Sequence, residues 1–198
     1  MMTVPNRLLF DVFKLPLELG DDLFLNLIEE EDAPRLYSVT KKNEHYLRQW
    51  LGWLGEVKTE KDSLDYIQRF KNHFLKSEAA VFGIFDSENL IGTCGYNSFD
   101  WVRKITVLGY WLAEDYQGKG IVTRSCKMLT DLAFNQLGMQ FLEIRIAPGN
   151  LKSKSIPIRL GFHYVATVKN AEWLYDHYVD HEIFRMSRLE WTKKTGEV

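Results

Sequence analysis

One segment of this sequence restricts the possible folds more than any other: a strand-like apolar run that leads through a glycine loop into a helix. The run ends at Leu112, the loop contains Gly118 and Gly120, and helical periodicity begins directly after it. Glycines let the backbone approach a ligand, and the first amides of a helix lack intrahelical partners and lie at the positive end of its dipole. The segment therefore predicts a cradle for an anion such as a diphosphate.

Two better-known phosphate loops do not fit this segment. The GxxxxGK[ST] pattern is absent, and a dinucleotide-binding GxGxxG would need glycine where Thr123 stands. The loop therefore does not indicate a nucleotide or NAD site. The structural alternative is a glycine turn that merely begins a helix.

Composition narrows the possible functions further. The 198 residues include 25 Lys and Arg against 27 Asp and Glu, a net charge of −2, so no basic field is present to attract nucleic acid. No apolar run approaches the roughly 18 residues needed to cross a bilayer, and residues 1–7 lack the basic and then apolar order of a secretion signal. We expect a cytoplasmic protein without nucleic-acid or membrane partners.

Hydrophobic periodicity predicts helices first, then an antiparallel meander, and then alternating strands and helices. The predicted helices cover residues 36–40, 47–54, 64–75, 118–137 and 150–160, with a capping box at Thr59 and Asp62. The predicted strands cover residues 23–28, 81–85, 90–96, 105–112, 142–146, 162–168 and 183–189, after an edge strand near 8–13, with turns at 86–89 and 97–100. No repeat or linker divides the chain. We therefore expect one α/β or α+β domain over residues 1–198, with its core at about 23–189.

The cysteines and histidines do not indicate a metal site. Cys94 and Cys126 lie in apolar surroundings without Cys/His ligand spacing, which predicts two buried thiols. His177 and His181 stand near two aspartates, but the HExxH pattern is missing and an exposed loop is the prediction for this region. We expect no metal ion.

The glycine loop resembles that of the GNAT superfamily of acetyl-CoA-dependent N-acetyltransferases, which reads Q/R-x-x-G-x-G/A. Gln117 and Gly120 match this pattern, and Val122 departs from it. The branch named for the ribosomal-protein N-terminal acetyltransferases RimJ and RimL is more similar, because its members commonly show GYW followed by a QGxGI-type loop, as at 109–111 and 117–121 here. Branched residues after the loop are familiar in that branch.

A second block supports the resemblance. Asn150 and Ser153 match N-x-K-S, and Arg159, Gly161 and Phe162 match the R-x-G-F that follows it, a block that lies beside the pantetheine arm of the cofactor in this branch. The resemblance covers about residues 23–189. It implies the GNAT fold, a mixed but mostly antiparallel sheet flanked by helices, with acetyl-CoA as co-substrate. The cofactor-binding residues that it implies are Tyr110, Trp111, Leu112, Gln117, Gly118, Lys119, Gly120, Ile121, Val122, Thr123, Asn150 and Ser153.

Charge near both motifs favours the same ligand, because CoA carries several phosphate charges. Residues 117–127 contain three cations and no acid, and residues 152–159 add three more cations. Ordinary solvated helix faces are the alternative, since exposed ion contacts are usually weak. The six residues are Lys119, Arg124, Lys127, Lys152, Lys154 and Arg159.

The resemblance also implies where the acetyl group is transferred. In this fold the strand ending near Leu112 splays from its neighbour, and a backbone amide of Tyr110, Trp111 or Leu112 can polarise the thioester carbonyl. Losing one comparable donor typically costs about 3 kcal/mol. Glu172 falls where RimL-type enzymes place a glutamate proposed as the catalytic base, and a loop or edge-strand glutamate that faces water is the alternative.

The acid that protonates the departing thiolate is not evident from the sequence. Pro157 replaces the tyrosine acid of many GNAT enzymes, and Ile146 replaces the cysteine of RimL-type enzymes. Water, Ser153 or Tyr178 could protonate the thiolate, and Ser153 could equally cap or line the second helix. We expect direct attack by the amine in a ternary complex, because both cysteines are predicted to lie in the core.

Three interpretations of the function remain open, two of which differ in the acceptor. The resemblance favours the α-amine of a ribosomal or other protein, whose pKa near 7.7–8.0 asks less of a base than a lysine amine near 10.4. A small amine (a polyamine, amino acid or aminoglycoside) would use the same cofactor site, and a non-catalytic CoA-binding regulatory module would explain the missing acids.

Four aromatic residues of the front helices would shape the acceptor cleft if they line it, although most are expected to be core. They are Tyr37, Trp50, Trp53 and Phe74. A homodimer is a further expectation, because RimL-like proteins often form one.

Overall fold

A computed structural model describes Leu9 and residues 12–196 of the chain. Its centre is one sheet of eight strands, which lie side by side in the order first, second, third, fourth, fifth, sixth, eighth, seventh. The strands are β1 (Leu17–Gly20), β2 (Leu23–Leu27), β3 (Ala80–Asp86), β4 (Asn89–Asp100), β5 (Ile105–Leu112), β6 (Phe141–Ile146), β7 (His163–Leu174) and β8 (His177–Ser187).

Helices cover both faces of this sheet. They are α1 (Ala33–Lys42), α2 (Glu44–Leu47), α3 (Glu60–Leu75), α4 (Ile121–Asn135), α5 (Leu151–Leu160) and α6 (Arg188–Thr195), with short 3-10 turns at Glu30–Asp32, Gly52–Glu56 and Glu114–Tyr116. None of the helices in the described part of the chain is long and apolar enough to cross a membrane.

The sheet is mixed and mostly antiparallel, as predicted. Among the described strands, β5 and β6 form the parallel pair, and every other neighbouring pair is antiparallel. The β5–β6 pairing runs from Ile105 opposite Phe141 to Leu108 opposite Ile144 and then stops, although both strands continue. The carboxyl-terminal halves of β5 and β6 therefore diverge and leave a gap in the sheet.

Two hydrophobic cores lie on opposite faces of the sheet, because successive side chains of a strand point to opposite faces. Leu108 and Leu112 of β5 belong to the larger core with α4 and α6, whereas Trp111 between them belongs to the smaller core with α1, α2 and α3. We call the face of the sheet that carries the larger core the α4–α5 face, and the face that carries the smaller core the front face. The gap between β5 and β6 connects them.

Local sequence determines where several helices begin. Asp62 accepts hydrogen bonds from the backbone N–H and the hydroxyl of Thr59, so the predicted capping box begins α3. Ser187 and Glu190 form the same reciprocal motif at the start of α6. Helix α6 therefore occupies residues 188 and 189, and the prediction that the last strand continues to 189 is wrong.

Two further predictions of strand position are wrong. Residues 97–100 continue β4 instead of forming a turn, and the turn falls at 101–104, where Lys104 adopts a φ of 55°. The edge strand is β1, at Leu17–Gly20, and not near residues 8–13. Leu9 has 3-10 conformation, and residues 8, 10 and 11 lie outside the described residues.

Candidate functional site

The glycine loop between β5 and α4 has the conformation of an anion cradle. Gly118 and Gly120 have φ of 77° and 74°, in the left-handed region that favours glycine, and nothing lies within 4 Å of where a side chain would begin at either residue. Gly120 caps α4, and no side chain of the described residues accepts a hydrogen bond at this cap. The first N–H groups of α4 are therefore available to an anion.

The residues after the loop anchor it to the protein. Ile121 is buried in the larger core, and Val122 is half-buried against the same core. This packing gives a physical reason for a branched residue at 122, where the resemblance would lead us to expect glycine or alanine.

Three cations stand around the cradle without an acidic partner in the described part of the chain. The Lys152 ammonium donates to the Gln117 side-chain oxygen at 2.9 Å, and the Arg159 guanidinium donates to the Thr123 hydroxyl at 2.9 Å. Lys119 lies within the loop and is exposed. The hydrogen bonds from α5 hold two positive charges beside the start of α4.

The other three cations expected near the ligand are neutralised by acids. Arg124, Lys127 and Lys154 each form an ion pair, so the six-residue cluster predicted from the sequence divides into two groups of three. The acids and their N–O distances are Asp21 with Arg124 (2.6 Å), Asp131 with Lys127 (2.8 Å) and Glu182 with Lys154 (2.6 Å).

The Tyr46 hydroxyl also lies beside this loop. It is buried beside the Gln117 side chain, and no described group forms a hydrogen bond of regular geometry with it. Burial raises the pKa of Tyr46 to about 12, and the Gln117 side chain opposes that shift. An unsatisfied buried hydroxyl is rare in a folded protein, which is consistent with a ligand that completes it.

The gap between β5 and β6 exposes backbone groups of β5. The Ala113 N–H bonds to Ile91 on the β4 side, and N–H groups alternate between the two edges of a strand. The N–H groups of Tyr110 and Leu112 therefore point towards β6, beyond the last paired residue, Leu108. Trp111 points the other way, so two of the three predicted backbone donors face the gap.

Tyr110 and Ser153 connect the gap to α5. The Tyr110 hydroxyl donates to the Ser153 carbonyl at 3.1 Å, and the Ser153 hydroxyl donates to the Tyr110 hydroxyl at 3.2 Å. Pro157 has no N–H to bond that carbonyl four residues earlier, so Tyr110 satisfies an acceptor that the proline leaves open. Asn150 caps α5 by accepting the Ser153 N–H at 3.2 Å. Burial raises the pKa of Tyr110 well above its usual value.

Glu172 lies in β7, on the hairpin that ends the sheet, and pairs with His181 of β8. The distance between Glu172 Oε2 and His181 Nε2 is 3.1 Å, and the two side chains are 37% and 19% exposed. Glu172 is thus partly buried and hydrogen-bonded. It lies on the edge strand of the sheet, as the alternative interpretation also expected, but one of its oxygens is engaged by His181.

Residues 50–52, at the start of the second 3-10 turn, pack against this hairpin. A Cβ at Gly52 would lie 2.9 Å from the Trp173 carbonyl and 3.6 Å from Glu172 Oε1, so this close approach needs glycine. The Trp50 ring reaches within 3.6 Å of the equivalent position at Gly149, in the loop after β6. Residues 50–52 therefore extend from the loop after β6 to Glu172, and we call this segment the roof.

Most of the remaining candidates are packing residues. Phe74 is buried in the larger core, Trp53 packs beside Trp111 with ring centroids 6.5 Å apart, and the Tyr37 hydroxyl donates to a backbone carbonyl. Tyr178 is 58% exposed and packs on Trp173 near the hairpin tip.

The prediction of two buried thiols is confirmed. Cys94 and Cys126 are both inaccessible to solvent, and burial raises the pKa of Cys126 well above its ordinary value. A buried, protonated thiol is a poor nucleophile.

Sequence reasoning missed two residues, one in the β7–β8 hairpin and one between β4 and β5. His181 lies in a strand and its side chain is largely buried, whereas an exposed loop was predicted for this region. The side chain of Asn97, at an irregularity in the β4–β5 pairing, occupies the space next to Gly109, so any larger residue at 109 would overlap it. Burial in β8 does not alternate along its first half, where residues 179–182 are all half-buried, and β7 beside it is mostly exposed, so no period-two pattern of apolar residues marks His181 as part of a strand.

Comparison with known proteins shows the family to which the chain belongs. The family described as "Acetyltransferase (GNAT) domain" matches residues 22–163. Ribosomal-protein-serine acetyltransferase of Escherichia coli (strain K12) is 28% identical over 168 residues, covering 85% of this chain and 94% of that protein.

Two solved structures share the fold. RimL, a ribosomal L7/L12 α-N-protein acetyltransferase in complex with CoA, superposes with a TM-score of 0.83 at 24% identity and covers 87% of this chain and 97% of its own. The microcin C7 self-immunity acetyltransferase MccE, in complex with acetyl-CoA and AMP, has a TM-score of 0.83 at 23% identity, covering 90% and 99%.

Proposed function

The chain belongs to the GNAT acetyltransferase family, and we propose that it transfers acetyl from acetyl-CoA to the N-terminal α-amine of a ribosomal protein. The observation that carries this proposal is the gap that opens where the β5–β6 pairing stops, with the glycine cradle directly after β5 and Glu172 in the β7–β8 hairpin that pairs with β6. A donor on the α4–α5 face and an acceptor on the front face would meet there. At the gap we call the α4–α5 face the cofactor side and the front face the acceptor side.

The residues of the cofactor side fit a CoA phosphate group. The open glycines, the first amides of α4 and the three cations without acids supply the donors and the positive charge that a diphosphate requires. Gln117, Gly118, Lys119, Gly120, Ile121, Val122 and Thr123 would hold the diphosphate, and Asn150 and Ser153 would lie along the pantetheine arm. Bound acetyl-CoA supplies the thioester whose acetyl group is transferred.

This chain's own groups then perform three tasks. The Tyr110 and Leu112 N–H groups face the gap and would donate to the carbonyl oxygen as it becomes negative. Glu172 would take the proton from the acceptor amine, directly or through one water. The Ser153 hydroxyl, fixed by Tyr110, is our candidate for a hydrogen bond to the departing sulfur.

The names of similar proteins support the choice of acceptor. The serine-specific Escherichia coli relative and RimL both act on ribosomal proteins by name. An α-amine with a pKa near 7.7–8.0 is about one-half unprotonated close to pH 8, so a single carboxylate suffices as its base. Ribosomal proteins and acetyl-CoA meet in the cytoplasm, which is therefore the proposed location.

Mass spectrometry of an acceptor panel tests the proposal. The panel contains serine- and alanine-initiated ribosomal-protein peptides, the same peptides with a blocked N-terminus and an internal lysine, spermidine, free amino acids and kanamycin, each incubated with acetyl-CoA and the protein. We expect a gain of one acetyl group on the free α-amine of a peptide alone. Acetylation of only the small amines would replace the proposed acceptor, and acetyl-CoA binding without any acetylated product would favour a regulatory module.

A further inference from the structure

The pair formed by Glu172 and His181 has a defined hydrogen-bond direction. An ionised carboxylate can only accept, so in this 3.1 Å contact His181 must carry a proton on Nε2 and donate it to Glu172 Oε2. Glu172 Oε2 therefore accepts a hydrogen bond from His181. The second oxygen, Oε1, faces the roof at Gly52 and receives no hydrogen bond from the described residues.

An irregularity in the β7–β8 pairing creates this contact. Val168 lies opposite His181, so regular antiparallel pairing would place Glu172 opposite His177. The register shifts by two residues, and Glu172 instead lies opposite Val179, the same-face neighbour of His181. The shift brings the glutamate within hydrogen-bond distance of the histidine.

The shifted segment is itself held in place. Asn170 adopts a φ of 51°, and its N–H donates to Asp180 Oδ1 at 3.0 Å, while Lys169 donates to Asp180 Oδ2 at 2.7 Å. Asp180 is therefore engaged away from the pair. The geometry of Glu172 and His181 is consequently built into the hairpin.

Other charged groups near the pair have their own partners. Glu182 pairs with Lys154 on the cofactor side, and Arg145 pairs with Glu143. Arg48 stacks on the ring of Tyr175, 3.7 Å from the centroid. Among the described residues, the hydrogen-bond partner of Glu172 is thus His181.

We propose that His181 is a positioning residue, whose Nε2–H holds Oε2 of Glu172 and leaves Oε1, which receives no hydrogen bond from the described residues, to take the proton of the acceptor amine. The inference rests on the proposed function and deepens it. The amine nitrogen gives its proton to Oε1 and forms the bond to the acetyl carbon, and the C–S bond breaks with its electron pair on the sulfur, which then takes up a proton. His181 neither gains nor loses a proton in this step, because its role is to hold the base.

Substitution of His181 separates the donated hydrogen bond from packing. His181→Leu removes the donor and should lower kcat about 10- to 100-fold, because a misplaced catalytic group costs that much. His181→Gln keeps an N–H donor and should retain kcat within about 3-fold. Both variants should bind acetyl-CoA like the wild type in calorimetry.

His177 provides the matched control on the same hairpin. It pairs with Asp176 at 2.7 Å, but the two side chains are 60% and 86% exposed. His177→Leu should leave kcat within about 2-fold of the wild type, because an exposed ion pair contributes little. Nitrogen-15 NMR gives a readout besides activity: the Nε2–H tautomer of His181 should dominate in the wild type and lose that preference in Glu172→Ala.

Wild-type kcat in His181→Leu would overturn the inference, as would a His181→Gln variant as slow as His181→Leu, or an unchanged tautomer in Glu172→Ala. Different results would contradict the proposed function itself. In that case Glu172→Gln itself keeps wild-type turnover, or no amine in the panel is acetylated.

Discussion

The cofactor side of the gap is made from residues that are close in sequence, whereas the acceptor side combines two distant segments, residues 50–52 and the β7–β8 hairpin. The cradle occupies residues 117–123, with one further helix, α5, supplying Lys152 and Arg159. The acceptor side joins Trp50, Glu172 and His181, which only the sheet and the roof bring together. A local loop can bind a ligand that many proteins share, while an assembled surface can differ from one acceptor to the next.

If this comparison is right, changes on the cofactor side should alter acetyl-CoA affinity, and changes on the acceptor side should alter turnover. The largest effect is expected from Gly120→Glu. A carboxylate at the start of α4 would repel and displace the diphosphate, weakening acetyl-CoA binding about 1,000-fold, or about 4 kcal/mol. Isothermal titration calorimetry measures this directly.

Gly138→Glu is the control for backbone strain. Gly138 has a φ of 69° and, like Gly120, open space where a side chain would begin, but it lies beyond the other end of α4. It should lose similar stability and keep its acetyl-CoA affinity. Equal losses of affinity in the two variants would attribute the effect to strain, and unchanged binding in Gly120→Glu would refute the cradle.

Glu172→Gln is expected to have the next largest effect. The amide keeps the shape of the side chain but cannot take a proton, so kcat should fall about 100-fold. Acetyl-CoA affinity should not change, because Glu172 lies in the β7–β8 hairpin and not among the glycine-loop and α5 residues of the cofactor side. Steady-state kinetics with the acetylated peptide, combined with calorimetry, would expose a mistake in this division if both quantities fell together.

A smaller effect on acetyl-CoA affinity should distinguish the cations that have no acidic partner from those that form ion pairs. Arg159→Ala should raise the Kd for acetyl-CoA about 5-fold, roughly 1 kcal/mol for an exposed charge contact, and this difference should shrink at high salt. Lys127→Ala, an exposed cation of the same face that is already paired with Asp131, should leave the Kd within about 2-fold. An equal effect of both would mean that net charge, and not placement, attracts the cofactor.

The smallest effect on function is expected at Glu143, a buried residue of β6. Burial disfavours its charge, but the Arg185 and Arg145 guanidinium groups more than compensate and hold its pKa below the ordinary value. Because the folded pKa is depressed, the stabilisation is present at neutral pH and is lost as the pH falls through the folded pKa.

Glu143→Gln should accordingly lower the free energy of unfolding by about 2 kcal/mol at pH 7, with partly exposed arginines limiting the loss. This corresponds to a fall in Tm of about 4–8 °C. Thermal melts at pH 7 and pH 4 should show a smaller difference in acid, while kcat and acetyl-CoA affinity at 25 °C stay within about 2-fold. A difference that grows in acid would contradict the sign of the pKa shift.

The sequence alone determined the features that depend on neighbouring residues. The cradle, the capping box at Thr59, the order of most strands and helices, and the burial of both cysteines follow from spacing, glycine placement and apolar periodicity. The family motifs lie in this same local class. Their residues are contiguous, so a short stretch of sequence is enough to specify their geometry.

Only the tertiary structure decided which of those residues work together. It paired Arg124, Lys127 and Lys154 with distant acids, turned the Tyr110 and Leu112 amides into the gap, and let Tyr110 satisfy the carbonyl that Pro157 leaves open. A two-residue register shift moved Glu172 to His181, where an exposed loop was expected. Strand register and ion pairing between distant segments are set by the packing of the whole sheet, and no local pattern of residues encodes them.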